Sequence, residues 1–128
     1  MTGPTRSLLQ LATTLFLAIT WVAPAQAQAT ADSPVLSDQV IEAGRTIFHG
    51  SGTCHACHGD DLQGGAIAPS LRGPKWRHID GSFKSILERI RQGKDGTLMV
   101  GHPGDISDAE AVQAATYVWA VSQGKAKP

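Results

Sequence analysis

The chain has 128 residues, which is the length of a single domain. Its 11 Lys and Arg residues are balanced by 11 Asp and Glu residues, so the formal net charge is zero. Binding to nucleic acid or to an anionic membrane surface requires a basic excess, so this composition predicts neither function.

The N-terminal segment is typical of a secretory signal peptide. Arg6 precedes a mostly apolar run over residues 8–22, and Ala-x-Ala cleavage sites end at Ala27 and Ala29. The run is too short for a comfortable membrane span, so we expect no stable membrane insertion, and an uncleaved anchor is the less favoured interpretation. We predict a signal peptide over residues 1–27, cleaved after Ala27 or alternatively after Ala29, and a periplasmic mature protein.

The mature chain is predicted to begin with a flexible stretch and to continue into an amphipathic helix. Residues 28–36 are mostly small and polar, which is typical of a flexible terminus. Ser37 or Asp38 can cap a helix whose apolar positions recur at helical spacing as far as Phe48. Gly50 is a natural residue for the end of this helix.

Cys54, Cys57 and His58 form a Cys-x-x-Cys-His sequence, the attachment pattern of c-type haem. Two thiols three positions apart can both reach the vinyl groups along one edge of a porphyrin and form thioether bonds. The imidazole of His58 can then bind the iron as its proximal ligand. A disulfide would leave His58 without a role, a thioredoxin-like pair needs a βαβ context that is absent, and a structural zinc site needs four ligands. We therefore predict one covalently bound haem c.

The segment around this motif, residues 51–81, has little periodicity and many glycines and prolines, which predicts an irregular loop. Irregular loops of about thirty residues are uncommon in compact domains. A second helix follows, capped by Ser82 and ended by Gly93. A large apolar prosthetic group would account for the loop, because the chain could wrap around it and use it as packing surface.

A second loop contains Met99, the one methionine besides Met1. A thioether is a soft, neutral ligand that favours ferrous iron, so His/Met ligation raises the reduction potential relative to two imidazoles. Met99 is therefore the favoured sixth ligand, although it could instead be an ordinary core residue. Its main competitor is His102, and the weaker candidates are His49, His55 and His78.

The last predicted helix begins at Ser107, which can form a capping box with Glu110. No strand and no internal repeat are predicted. We therefore expect an all-α fold, with three to four short helices and long loops wrapped around one covalent haem. The folded domain is predicted over residues 37–124, and residues 125–128 form a C-terminal tail.

Taken together, these motifs resemble the small bacterial class I c-type cytochromes, over nearly the whole mature chain. The resemblance is carried by Gly44, Phe48, Cys54-x-x-Cys57-His58, Ala68-Pro69-Ser70-Leu71, Trp76, Met99 and the last helix. It implies that the Pro69 carbonyl accepts a hydrogen bond from the free ring nitrogen of His58, which fixes the tautomer and strengthens the ligand. It also implies that the first helix crosses the last one at Gly44. The family usually has a proline after the ligand methionine, and Val100 at that position predicts a less rigid loop.

Two further clusters carry predictions. The basic residues around Trp76 would either hold the haem propionates, with the indole N–H as a further donor, or face solvent; they are Arg72, Lys75, Arg77 and His78. The basic residues on the polar side of the second helix are interpreted as solvated; they are Arg89, Arg91 and Lys94. The apolar stretch 64–68 could form a docking patch beside the haem edge, or Ile67 could simply pack on the haem.

A haem iron with two protein ligands has no free coordination site, which leaves one-electron transfer as its chemistry. We therefore predict a non-enzymatic electron carrier that exchanges single electrons with a periplasmic dehydrogenase, oxidase or reductase. A cytochrome subunit permanently associated with a periplasmic dehydrogenase is the alternative. A haem peroxidase or gas sensor is a further alternative, which requires that Met99 does not bind the iron.

Overall fold

A computed structural model describes residues 33–128, and the predicted signal peptide lies outside this range. The described residues form four α-helices: α1 (Asp38–His49), α2 (His55–His58), α3 (Phe83–Gln92) and α4 (Asp108–Ser122). A 3-10 turn, Pro103–Asp105, precedes α4. The all-α prediction is confirmed. Within residues 33–128, every helix is too short or too polar to cross a membrane.

The three longer helices begin at serines that cap their first turn. In each case the serine hydroxyl oxygen accepts a backbone N–H three residues later, at 3.2 to 3.3 Å; the serines are Ser37, Ser82 and Ser107. At α4 the carboxylate of Glu110 accepts the backbone N–H of Ser107 at 2.8 Å, so the predicted capping box is present. Gly50 and Gly93 follow α1 and α3, as the sequence indicates.

Helix α1 crosses α4 at Gly44. A Cβ atom on Gly44 would collide with the backbone carbonyl oxygen of Gln113 and would lie 2.7 Å from the Cβ of Tyr117. Beside the crossing, the rings of Phe48 and Tyr117 pack edge to face, with their centroids 5.6 Å apart. Helix α3 packs against α4 as well, so the core lies between the three longer helices.

The long irregular segment contributes to this core and is not a free loop. Leu62, which no helix contains, is completely buried with a positive φ of 58°. Its carbonyl oxygen accepts the backbone N–H of Leu71 at 2.9 Å, which closes the chain around the segment between them. The segment also contains the one-turn helix α2, so it is less irregular than its glycines and prolines predict.

The C-terminal residues fold back onto the helices. The backbone N–H of Lys125 donates to the carbonyl oxygen of Ala120 at 2.8 Å, and its ammonium lies 4.7 Å from the ring centroid of Trp119. A guanidinium N–H of Arg45 on α1 donates to the carbonyl oxygen of Lys127 at 2.9 Å. The predicted tail, residues 125–128, therefore joins α1 to the end of α4.

Candidate haem site

A cavity of about 360 Å³ lies between α2, α3, α4 and the two loops. Its wall includes all six residues predicted to bind haem, namely Cys54, Cys57, His58, Pro69, Trp76 and Met99. Much of the remaining wall is apolar, with Phe48, Leu71, Ile79, Ile86, Ile90 and Val118. Among the described residues that line it, none is Asp or Glu. A mostly apolar cavity with a few placed polar groups is typical of a cofactor site.

Both cysteines lie on one turn of chain at the cavity wall. Cys54 precedes α2 and Cys57 is its third residue, and the backbone N–H of His58 donates to the Cys54 carbonyl oxygen at 3.0 Å. Both side chains are free thiols, Cys54 partly buried and Cys57 exposed. Burial raises the pKa of Cys54 to about 11, so this thiol is protonated at neutral pH.

The ring of His58 is buried, and Nδ1 lies 2.9 Å from the carbonyl oxygen of Pro69. A carbonyl oxygen only accepts, so this contact requires Nδ1 to carry the proton and leaves a lone pair on Nε2. Burial lowers the pKa of His58, against a smaller opposite effect of the Pro69 hydrogen bond. The neutral imidazole with a free Nε2 is the form that binds iron.

Gly64 allows the Pro69 carbonyl to reach His58, a role that the sequence did not reveal. It has a φ of +76°, and a Cβ there would collide with the backbone N of Ser70 and lie 2.6 Å from the Pro69 carbonyl carbon. Its own N–H donates to the carbonyl oxygen of His58 at 2.7 Å. The interpretation of residues 64–68 as a docking patch therefore overlooks a structural requirement at Gly64. In the sequence, the two adjacent glycines at 64 and 65 are the feature that could have indicated this close backbone contact.

We expect Gly64→Ala to displace the Pro69 carbonyl and to weaken its hydrogen bond with His58. A less basic imidazole stabilises ferric iron less, so the reduction potential of the haem protein should rise. The positive φ should also cost about 1–3 kcal/mol of stability. Gly65→Ala is the matched control, because a Cβ there has no neighbour within 4 Å. Potentiometric titration and thermal unfolding measure both effects, and equal potentials in the two variants would contradict this role.

The loop that holds Met99 is closed by hydrogen bonds, although Val100 stands where the family usually has proline. The backbone N–H of Lys94 donates to the carbonyl oxygen of Met99 at 2.8 Å. The N–H of Met99 donates to the hydroxyl of Thr97 at 3.1 Å, and an isolated antiparallel bridge joins Gly93 to Val100. These contacts hold the methionine at the cavity wall.

The structure does not bring the main competitor, His102, to the cavity. Its Nδ1 lies 3.0 Å from the carbonyl oxygen of Ile106, and it is not among the lining residues. His49 and His55 also lie off the wall, with ring centroids 5.7 Å apart. Of the four competing histidines, all within the described residues, His78 alone lines the cavity.

The predicted basic cluster divides into two groups. Arg77 and His78 line the cavity, and Lys75 does not. Arg72 lies off the wall as well, and its Nε donates to the carbonyl oxygen of Asp61 at 2.6 Å.

Two basic residues interpreted as solvated, Arg89 and Lys94, are partly buried and line the cavity. Arg91 binds Asp108 with two hydrogen bonds of 2.6 and 2.7 Å. The solvated interpretation is therefore wrong for Arg89 and Lys94, which line the cavity, and Arg91 is only partly exposed because it binds Asp108 on α4.

Comparison with known proteins gives a matching protein family and a similar cytochrome. The family described as "Cytochrome C oxidase, cbb3-type, subunit III" matches residues 39–118. Cytochrome c-554(548) of Halomonas halodenitrificans is 37% identical over 67 residues, which are 52% of this chain and 81% of that protein.

Solved structures share the fold. Cytochrome cL of Methylophaga aminisulfidivorans superposes with a TM-score of 0.57 and 23% identity, covering 64% of this chain and 55% of that one. Cytochrome cL of Hyphomicrobium denitrificans gives a TM-score of 0.53 and 24% identity, with coverage of 62% and 45%. A chain of the reducing HAO-like protein complex of Kuenenia stuttgartiensis superposes with a TM-score of 0.59 and 20% identity, covering 74% of this chain and 50% of that one. The aligned part spans about half the length of these structures.

Proposed function

Because the chain belongs to the class I c-type cytochromes, a family of electron-transfer proteins, we propose that it is a periplasmic mono-haem electron carrier. In this proposal, single electrons pass between redox partners through a haem that Cys54 and Cys57 hold covalently and that His58 and Met99 ligate. The observation that carries it is the composition of one cavity wall. Two thiols, an imidazole with a free Nε2 and a thioether meet there among apolar side chains.

The donor set fits haem c and gives each residue a separate task. When bound, haem c supplies a one-electron couple at its iron. Cys54 and Cys57 would anchor the macrocycle by one edge, which prevents its loss outside the cell. His58 would provide the proximal ligand, and the Pro69 carbonyl keeps the proton on Nδ1 so that Nε2 remains available. The soft, neutral thioether of Met99 favours the ferrous state and would raise the potential.

Trp76 is the sixth residue of the proposed site. It is half-buried at the cavity wall, and its indole lies close to the backbone of Gly81, where a Cβ would collide with Nε1. This contact fixes the indole between the irregular segment and the start of α3. In the proposal, Trp76 closes the haem cavity on that side and excludes water.

Met99→Ala tests the proposal, with His78→Gln as the control that removes the other potential ligand on the wall. In the oxidised wild type we expect a visible sulfur-to-iron charge-transfer band, which Met99→Ala should abolish and His78→Gln should preserve. The potential should fall in Met99→Ala, because a soft neutral ligand is lost, and the reduced variant should bind carbon monoxide. Optical spectra and redox titration measure these effects.

Two results would overturn the proposal. If the reduced wild type binds carbon monoxide readily, the iron has an open position and the peroxidase or gas-sensor alternative applies. If the charge-transfer band survives in Met99→Ala, Met99 is not the sixth ligand. If instead the reduced His78→Gln variant binds carbon monoxide and the reduced Met99→Ala variant does not, the sixth ligand is His78.

A second candidate function is that of a subunit permanently bound to a periplasmic dehydrogenase. Three large apolar side chains at the cavity wall are exposed: Ile67 by 66%, Leu98 by 80% and Val100 by 60%. Apolar side chains grouped at the opening of a redox site favour contact with a partner protein. Co-purification from the periplasm separates the two candidates, because a carrier elutes alone and a subunit elutes with its enzyme.

A further inference from the structure

Helix α3 carries two arginines of similar exposure whose hydrogen-bond partners differ. Arg91 is partly exposed and forms two hydrogen bonds with the carboxylate of Asp108 on α4. Arg89 lies partly buried on the cavity wall, and one guanidinium N–H donates to the carbonyl oxygen of Gly93 at 2.7 Å. Two residues of the same type on one helix therefore differ in whether a carboxylate neutralises them.

The guanidinium of Arg89 has donors left over. A guanidinium carries five N–H donors, and the bond with Gly93 uses one of them. None of the described residues on the cavity wall is Asp or Glu, so no carboxylate of the wall neutralises the charge. A partly desolvated cation without a counter-charge is unfavourable. The other charged groups on the wall, Arg77 and Lys94, add to the positive potential instead of reducing it.

We propose that Arg89 is the anion-binding group of this cavity and takes a carboxylate or a small oxyanion on its free N–H donors. The planar fork of a guanidinium matches such groups geometrically. The inference rests on the proposed haem function, and two sources share the required chemistry. One is a propionate of the haem itself, and the other is a free inorganic oxyanion such as phosphate.

The test compares the haem-loaded variants Arg89→Gln and Arg91→Gln with the wild type. Both substitutions remove one positive charge from α3, but only the first removes it from the cavity wall. Resonance Raman spectroscopy of the propionate bending mode reports on the first source. The reduction potential, titrated with inorganic phosphate at constant ionic strength, reports on the second source, because an anion that binds near the iron favours the ferric state.

Arg89→Gln should lower the reduction potential more than Arg91→Gln, because a cation on the wall of the proposed haem cavity favours the ferrous state. If the anion is a propionate, its bending mode shifts in Arg89→Gln alone and phosphate does not change the wild-type potential. If the anion is free, the mode stays in place and phosphate lowers the wild-type potential. Arg89→Gln should then need about tenfold more phosphate for the same effect.

The inference is overturned if Arg89→Gln and Arg91→Gln give the same potential, the same propionate mode and the same phosphate response. If Arg89→Gln does not load haem, Arg89→Lys is the substitute variant, because it keeps the positive charge. It should retain most of the wild-type reduction potential. Failure of the proposed function has a different signature, since the wild type would then carry no haem or show no reversible one-electron couple.

Discussion

Gly44→Ala is expected to destabilise the haem-loaded protein by about 1–3 kcal/mol, although alanine is normally the better helix residue by about 1 kcal/mol. The added methyl group meets the backbone carbonyl oxygen of Gln113 and the Cβ of Tyr117, neither of which can rotate away. Helix α1 must therefore move away from α4, which also loosens the packing of Phe48 on Tyr117. Guanidinium unfolding followed by far-UV circular dichroism measures the loss.

Gly65→Ala is the matched control for this substitution. A Cβ on Gly65 has no neighbour within 4 Å and the residue has no positive φ, so the change should be neutral within about 0.5 kcal/mol. The difference between the two variants isolates the helix crossing from the general effect of alanine on the unfolded chain. A Gly44→Ala protein as stable as Gly65→Ala would contradict close contact of α1 and α4 at this position.

The three longer helices could be predicted from the sequence because their signals are local. Ser37, Ser82 and Ser107 each cap a periodic apolar pattern, and a cap acts within one turn of its own residue. Helix α2 could not be predicted in the same way. It has four residues, His55–His58, and one turn contains too few positions for a period to appear.

The site was predictable where its chemistry lies in a short motif and not where it depends on packing. Arg89 and Arg91 border the apolar stripe of α3 on opposite sides, and nothing in the local sequence distinguishes them. The side that carries Ile86 and Ile90 faces the cavity, which places Arg89 on the wall. Nearness in sequence was misleading for His102, which lies three residues from Met99 but off the wall.

Gly64 could not be predicted as part of the site, because its role depends on a contact between two parts of the irregular segment. A glycine is required there because the backbone of residues 69–70 passes beside it, and that contact joins two separate parts of the irregular segment. Such a requirement follows from how the segment folds onto itself and has no periodic pattern. The hydrogen bond between His58 and Pro69 depends on the same approach, and only the family resemblance suggested it in advance.

Replacing Cys54 and Cys57 together by alanine is expected to make the proposed covalent attachment of the haem reversible. The sequence contains no other cysteine, so no thiol remains to form a thioether bond. Acidified acetone should then extract the pigment from the double variant, whereas the wild type should stay coloured. His58 and Met99 would still line the cavity, but acid protonates the imidazole and releases the metal from it.

The single variants and a neighbouring substitution make this result specific. Cys54→Ala and Cys57→Ala each keep one thiol, so both should retain the pigment in acidified acetone and show pyridine haemochrome spectra between those of the wild type and the double variant. His55→Gln changes the motif but leaves both thiols and His58 in place, so its pigment should not be extracted. If the double variant also keeps its pigment, the attachment does not use these sulfurs, and the ligand assignment that follows from their position on α2 loses its basis.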